Sequence, residues 1–334
     1  MEISTVPATF VRALLEAAER KGCRRTELLS SLNIGEDMLE GDRARVPSTT
    51  YSQLTDLIAT QLGDEYCGLV DQPAKPGTFA MMCYACIHCP TLGKFLQRTT
   101  EFHTISTDNS RVELKIQGKL AHYVYTPLAG TVDPQHLLTM SLLAIAHRLA
   151  SWVIGQNLPL TSVSLTHPRP EHAAAYNMLY RCPVKFDQAE NSISFSASYL
   201  EFPVKQNEQS LQQFLSRPGA RMLASSDSHD SHVARVTALI IGSVDQDFPD
   251  FDWIAIQLHT TTGTLRRRLR DEGTSYQQLK DDVRRDTAIF NLNKGVMSIE
   301  DVAASVGFAE PTSFFRAFKR WTGVTPRAYI RKGK

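Results

Sequence analysis

The stretch "IEDVAASVGFAEPTSFFRAF" (residues 299–318) decides how this chain is read. Ile299, Val302 and Val306 are apolar at helical spacing, and the small Ala303 between them permits close approach of a second helix. Ser298 with Asp301 three residues later is a helix-start signal, and Pro311 sits where the first turn of a following helix belongs. That following helix shows a narrow apolar seam, Phe314 and Phe318, and leaves its other positions polar. Two short helices with a tight joint, the second apolar on one stripe only, form the pattern of a helix-turn-helix.

The same design occurs once more, upstream, in "FDWIAIQLHTTTGTLRRRL" (251–269). With Ala255 laid over Ala303, Phe251 matches Ile299, Ile254 matches Val302 and Leu258 matches Val306. Further on, Leu265 matches Phe314, Arg267 matches Arg316 and Leu269 matches Phe318, the later copy having one extra residue between its halves. A helical segment, "SYQQLKDDVRRDTAIFNL", joins the two. One motif of this kind is weak; two in tandem are specific.

Charge points the same way. From Phe251 onward there are 15 Lys and Arg against 9 Asp and Glu, a local charge of +6, whereas the first 250 residues carry 21 against 26. A basic third on an acidic body suits a polyanion-binding module joined to something else.

The 334 residues have room for two domains. No run of about 18 apolar residues occurs, so no membrane span is expected. The opening "MEISTVPATFVRALLEAAERKG" reads as an amphipathic helix rather than a signal peptide, so a cytoplasmic protein with reduced cysteines is expected.

Residues 6–62 read as helices, with Ser48 after Pro47 as one helix start. "RVELKIQGKLAHYVYTP" (111–127) alternates around Gly118 as a hairpin does, and a long helix follows with Pro134 near its first turn. Strand-like "LTSVSLTHP", a short helical "PEHAAAYNMLY", and strand-like "PVKFD" and "NSISFSAS" complete a mixed α+β domain. "SRPGARMLASSDSHDS" (216–231) has linker composition. The expected organisation is an effector-binding and dimerisation domain at 1–215, a linker at 216–231, and an all-α domain at 232–334. The all-α domain holds helix-turn-helix motifs at about 251–270 and 299–319.

The ending "VGFAEPTSFFRAFKRWTGVTPRAYI" resembles the C-terminal signature of AraC/XylS-type bacterial transcription regulators, through Gly307-Phe308, Phe314, Arg316, Phe318-Lys319, Gly323, Thr325-Pro326 and Tyr329. The resemblance covers roughly residues 235–331. "GTFAMMCYACIHCPTLGKFLQRTTEFHTI" and "LTHPRPEHAAAYNMLYRCPVKFDQAENSISFSASYLEFPV" resemble the effector-binding domain of the subgroup with ornithine-utilisation and virulence regulators. The resemblance implies promoter DNA as partner and a small-molecule effector, such as an amino acid derivative or a fatty or other organic acid. It also implies a homodimer, with RNA polymerase as a further candidate partner.

"CYACIHC" (83–89) places Cys83, Cys86 and Cys89 at C-x2-C-x2-C spacing. Phe79, Met82, Cys83 and Cys86 share a helical face, which suits buried thiols behaving as small apolar groups. No fourth cysteine follows at cluster spacing, and Cys23, Cys67 and Cys182 are distant in sequence. A metal or redox sensor fused to the DNA-binding domain stays as the alternative. No catalytic motif is present, and neither an enzyme nor a cofactor is expected.

The candidate DNA-contacting residues are Gly263, Thr264, Arg266, Arg267 and Arg270 on the first recognition helix, and Thr312, Ser313, Arg316 and Lys319 on the second. Arginine bonds guanine bidentately, so Arg266, Arg267 and Arg316 suit base reading, while Arg268, Arg270 and Lys319 suit phosphates. Glu310 is expected to cap its helix. Tyr84, His88, Tyr123 and Tyr125 are candidates for an effector pocket.

Overall fold

The computed structural model describes residues 5–32, 34–41, 44–128, 133–170, 173–180, 182–216, 232–243, 248–272 and 274–332. These fall into two compact units, one of Arg12–Leu28 and Ser52–Ser226, the other of Met1–Val11, Leu29–Tyr51 and Asp227–Lys334. The expected boundaries differ from this division at residues 5–11 and at the described residues of 29–51, which cluster with the C-terminal third. Of the expected linker 216–231 only Ser216 is described; the rest lies outside the described residues.

The early chain forms β1 (Thr5–Pro7), α1 (Ala8–Arg20), α2 (Arg25–Ser31), a single 3-10 turn at Glu36–Leu39, β2 (Arg45–Pro47) and α3 (Ser48–Leu62). The two three-residue strands pair antiparallel, Thr5 opposite Pro47 and Pro7 opposite Arg45. The sequence reading had only helices here. Three residues are too few to show alternation, and both strands end in proline directly before a helix.

The larger unit continues with α4 (Thr78–Cys86), α5 (Leu92–Ser106), β3 (Ser110–Gln117), β4 (Leu120–Pro127), α6 (Leu137–Val153), β5 (Leu160–Ser164), α7 (Ala173–Tyr180), β6 (Val184–Lys185), β7 (Asn191–Ser196) and α8 (Glu208–Leu215). The sheet order is β3-β4-β7-β5-β6. The expected hairpin is β3–β4, turning at Gly118, whose φ of 60° suits glycine. Helix α5 starts where the Thr91 hydroxyl accepts from the Lys94 amide, and its apolar stripe, including Phe95, is buried. Helix α6 begins later than its proline suggests, at Leu137, where the Asp133 carboxylate accepts from the amides of Leu138 and Thr139.

The second unit carries α9 (His232–Gly242), α10 (Phe251–Gln257), α11 (Thr262–Asp271), α12 (Tyr276–Lys294), α13 (Ile299–Ser305), α14 (Pro311–Thr322) and α15 (Pro326–Lys332). Two apolar clusters hold it. Val233, Val236, Ile240, Ile254, Leu265, Leu269 and Val283 form one around the first motif. Ala288, Ile289, Val302, Val306, Phe314, Phe318 and Tyr329 form the other around the second. Each side chain expected on the seams is at most 1% exposed, so the sequence pattern and the packing agree. Helix α12 feeds both clusters from opposite ends. Strands β1 and β2 belong to this unit, and the Tyr329 hydroxyl donates to the Arg45 carbonyl at 3.0 Å.

Candidate nucleic-acid interface

Local signals fix both motifs. Asp250 caps α10 by accepting from the Trp253 amide, and Thr261 caps α11 by accepting from the Thr264 amide. Ser298 and Asp301 form a reciprocal capping box on α13, as the sequence spacing predicts. Pro311 occupies the first turn of α14. Glu310 stands at the N-cap position, but its side chain makes no capping bond, contrary to expectation. The Ser313 amide, one of the two that a cap would satisfy, bonds the Glu310 carbonyl instead, at 3.0 Å. The turns of the two motifs match: His259 and Gly307 occupy equivalent positions and both are left-handed, with φ of 50° and 75°.

On α11, Gly263, Arg266, Arg267 and Arg270 are exposed, and Thr264 is half-buried. The Thr264 hydroxyl accepts from Thr261 at 3.0 Å. Arg266 lies over the Phe251 ring at 5.5 Å, which restricts its rotamers. Arg268 is exposed but held by a neighbour. Its Nη1 donates to His232 Nε2 at 2.7 Å, so the His232 Nδ1–H faces Glu272, which also accepts from the amides of His232 and Val233. On α14, Thr312, Ser313, Arg316 and Lys319 are exposed. Arg316, Lys319, Arg320 and Gly323 line a shallow, open depression of about 500 Å³ with three cationic side chains at its edge.

In the other unit the four expected effector residues separate. Tyr123 and Tyr125 sit two apart on β4 and share its buried face. Tyr123 Oη bonds Thr99 Oγ1 at 3.3 Å, while Tyr125 Oη is buried with no hydrogen bond of good geometry, the Ser110 hydroxyl being the polar group that bears on it. His103 Nε2 bonds that same Ser110 hydroxyl at 2.8 Å, and burial pushes the His103 pKa down to about 4. A row of hydroxyls and a neutral imidazole thus lies under α5. Tyr84 is half-buried on α4, and His88 faces solvent against Glu208 at 3.0 Å.

Cys83, Cys86 and Cys89 are buried. Burial raises all three thiols, Cys83 and Cys86 to about 12. A thiol held that high is protonated at neutral pH and is neither nucleophile nor ready ligand. Among the described residues no group of three or more His, Cys, Asp or Glu side chains is gathered as a metal site.

A family model for the N-terminal arabinose-binding domain of AraC transcription regulators matches residues 22–204, more than half of the chain, and a helix-turn-helix domain model matches residues 254–332. This chain belongs to the AraC family. The ornithine utilization regulator of Pseudomonas aeruginosa is similar to it, 27% identical over 325 residues that cover 97% of this chain and 96% of the relative. The transcriptional regulator VqsM of the same organism is 27% identical over 181 residues, 53% of this chain and 54% of that one. Among solved structures, the regulator CdpR of Pseudomonas aeruginosa is 24% identical, with coverage of 92% of this chain and 96% of that chain and a TM-score of 0.34.

This AraC-family chain is thus a DNA-binding transcription regulator. No helix among its described residues is long and apolar enough to cross a membrane. Sequence reasoning missed two features of its basic face, the stacking of Arg266 on Phe251 and the capture of Arg268 by His232. The first joins residues 15 positions apart and the second residues 36 apart, beyond any local periodicity.

Proposed function

We propose that the two recognition helices, α11 and α14, enter successive major grooves on one face of promoter DNA, about 10 bp apart. Arg267 and Arg316 read bases there; Gly263, Thr264, Arg266, Thr312 and Ser313 complete the groove-facing set, and Arg270 and Lys319 hold phosphates. One observation carries this reading. Arg267 and Arg316 occupy equivalent positions in the two motifs and are both exposed, opposite fully buried seams. The chain acts in the cytoplasm as a homodimer, is not an enzyme, and requires no cofactor.

A small molecule controls it from the N-terminal unit. The buried Tyr123, Tyr125, Thr99 and Ser110, with the half-buried His103 beside them and one phenol lacking a hydrogen bond of good geometry, support a ligand that brings hydrogen-bonding groups, such as an amino acid derivative or an organic acid. One relative is a regulator of ornithine utilization, which is in keeping with the former.

Gel-shift titrations of Arg267→Ala and Arg316→Ala against a promoter fragment and its point variants test the DNA reading. Each loss should cost about 1–3 kcal/mol and relax preference at one base position of its own half-site. Pure phosphate contact would instead weaken binding evenly across sequences and make the salt slope shallower by about one. Normal affinity and base preference in both variants would remove the model. A metabolite thermal-shift screen of the full chain, with hits retested on Tyr125→Phe, checks the effector reading. A ligand at 100 times its dissociation constant adds about 2.7 kcal/mol.

A further inference from the structure

The two helix-turn-helix motifs have separate cores, and their described buried members do not overlap. One partly buried side chain, Phe248, packs against both. It precedes the first motif, yet its ring lies on the guanidinium of Arg284 in the middle of α12, 4.7 Å from ring centroid to guanidinium carbon. The same guanidinium carbon lies 5.0 Å from the centroid of the Phe308 ring, in the turn of the second motif. Arg284 Nη2 donates to the Gly307 carbonyl at 3.3 Å in that same turn. The stack is closed from the side: a Cβ on Gly307 would stand 2.8 Å from Phe248 and 3.1 Å from Arg284 Nη2, so only glycine leaves the space.

Helix α12 sets the distance between the motifs through its length. It does not by itself set how each motif is rotated about its attachment to the helix. That angle is fixed by contacts reaching from one motif to the other, and the stack Phe248–Arg284–Phe308 makes such a contact. A planar guanidinium offers two faces to two rings, which an ammonium does not. The site is also locally costly. Lys280, one turn earlier, lies 5.9 Å from the same Phe248 ring, and two like charges at this helical spacing repel. Burial holds the Arg284 pKa below its usual value against the opposing pull of Asp281 and Tyr276, and burial and then Arg284 lower that of Lys280. Arg284 Nε is buried without a partner. A plain apolar residue would avoid these costs, so stability alone does not account for an arginine here.

We propose that Arg284 is a positioning residue for DNA reading: its stack between Phe248 and Phe308 locks the angle between the two motifs and thereby sets the spacing of the half-sites the protein accepts. It does so without touching DNA. The proposal rests on the reading that each motif occupies its own major groove.

The test uses the full chain and a duplex selected by the wild-type protein from a random-sequence pool. The two information-bearing blocks are then moved apart or together by one base pair. The wild type should lose at least about tenfold in affinity on either change. Arg284→Met, which keeps volume and removes the flat charge, should bind the original spacing about three- to tenfold more weakly and discriminate among the three spacings by less than about threefold. Arg284→Lys should resemble Arg284→Met. A spacing profile in Arg284→Met as sharp as in the wild type overturns the proposal. So does an equal loss at all spacings with a shallower salt slope, because that marks a direct phosphate contact. Phe308→Leu removes one ring and leaves the arginine. It should also flatten the profile, and it decides the question if Arg284→Met does not fold. A selected duplex with a single information-bearing block would instead refute the two-groove reading itself, a result visible with the wild type alone.

Discussion

The carboxylate of Asp286, on the helix that joins the two helix-turn-helix motifs, accepts from both the backbone amide and the hydroxyl of Thr5, at 3.2 and 2.7 Å. The same carboxylate accepts from Arg285 Nε at 2.8 Å, and Arg285 Nη1 reaches Asp282 at 2.7 Å. Arg45 closes the cluster, donating to the Thr5 hydroxyl and carbonyl at 2.6 and 2.7 Å. Burial and then Arg285 push the Arg45 pKa down to about 10, while burial raises Asp282. Four charges, two of each sign, are therefore balanced inside one compact unit, and the β1–β2 pair is what completes the balance.

Removing one partner of such a cluster strands the others. Asp286→Ala leaves Arg285, only 7% exposed, with Asp282 alone, and is expected to cost about 3–5 kcal/mol. Thr5→Val removes one hydroxyl and should cost about 1–3 kcal/mol. Urea unfolding followed by the transition of the DNA-binding unit measures both; an Asp286→Ala change under 1 kcal/mol would show that the cluster does not hold the unit.

His103 supplies a pH dependence. Its folded pKa is about 4, pushed down by burial from an ordinary 6.5. The folded state therefore binds fewer protons than the unfolded chain. The contribution is fully present above pH 6.5 and is lost as pH falls from 6.5 toward 4, by on the order of 3 kcal/mol. His136, lowered by burial and by the stacked His167, adds in the same sense. His103→Gln should flatten the acid limb of stability over this window. Parallel acid limbs in variant and wild type would assign the loss to other groups.

The cysteine run has a packing test. Cys86 is fully buried, and its thiol is raised to about 12. Cys86→Ser places a hydroxyl there and is expected to cost about 1–3 kcal/mol, whereas Cys86→Ala should cost less than the serine variant if no partner exists. Native protein should react slowly with a thiol reagent until urea unfolds it. Stoichiometric bound metal, lost in Cys86→Ser, would reverse the assignment.

The second unit was legible in the sequence because its information is local. Ala303, Phe314 and Phe318 recur at helical spacing, Ser298 and Asp301 sit at capping distance, and the copy at 251–269 repeats the register. The hairpin around Gly118 was legible for the same reason. What stayed hidden is non-local. Nothing near Thr5 or Arg45 announces Asp286, and strands of three residues carry no period. The buried Tyr123 and Tyr125 alternate visibly along β4, but that Tyr123 meets Thr99 and that Tyr125 shares the Ser110 hydroxyl with His103 depend on how α5 crosses the sheet. His88 looked equivalent to them in sequence and lies exposed on the surface.

The two turn residues give a prediction of opposite signs. His259 and Gly307 hold the same left-handed position in the two motifs, with φ of 50° and 75°. A side chain in this region costs roughly 1–2 kcal/mol, while glycine loses more freedom on folding. His259→Gly should therefore be neutral to about 1 kcal/mol stabilising. Gly307→Ala adds the same backbone cost and a Cβ 2.8 Å from the Phe248 ring, which is held by Arg284 and both cores and has little room to retreat. Its expected cost is about 2 kcal/mol or more. Denaturant titration of the two variants side by side separates backbone strain from steric closure. If Gly307→Ala costs no more than the backbone penalty alone, the Phe248 ring is free to move, and the space beside Gly307 is not what confines it.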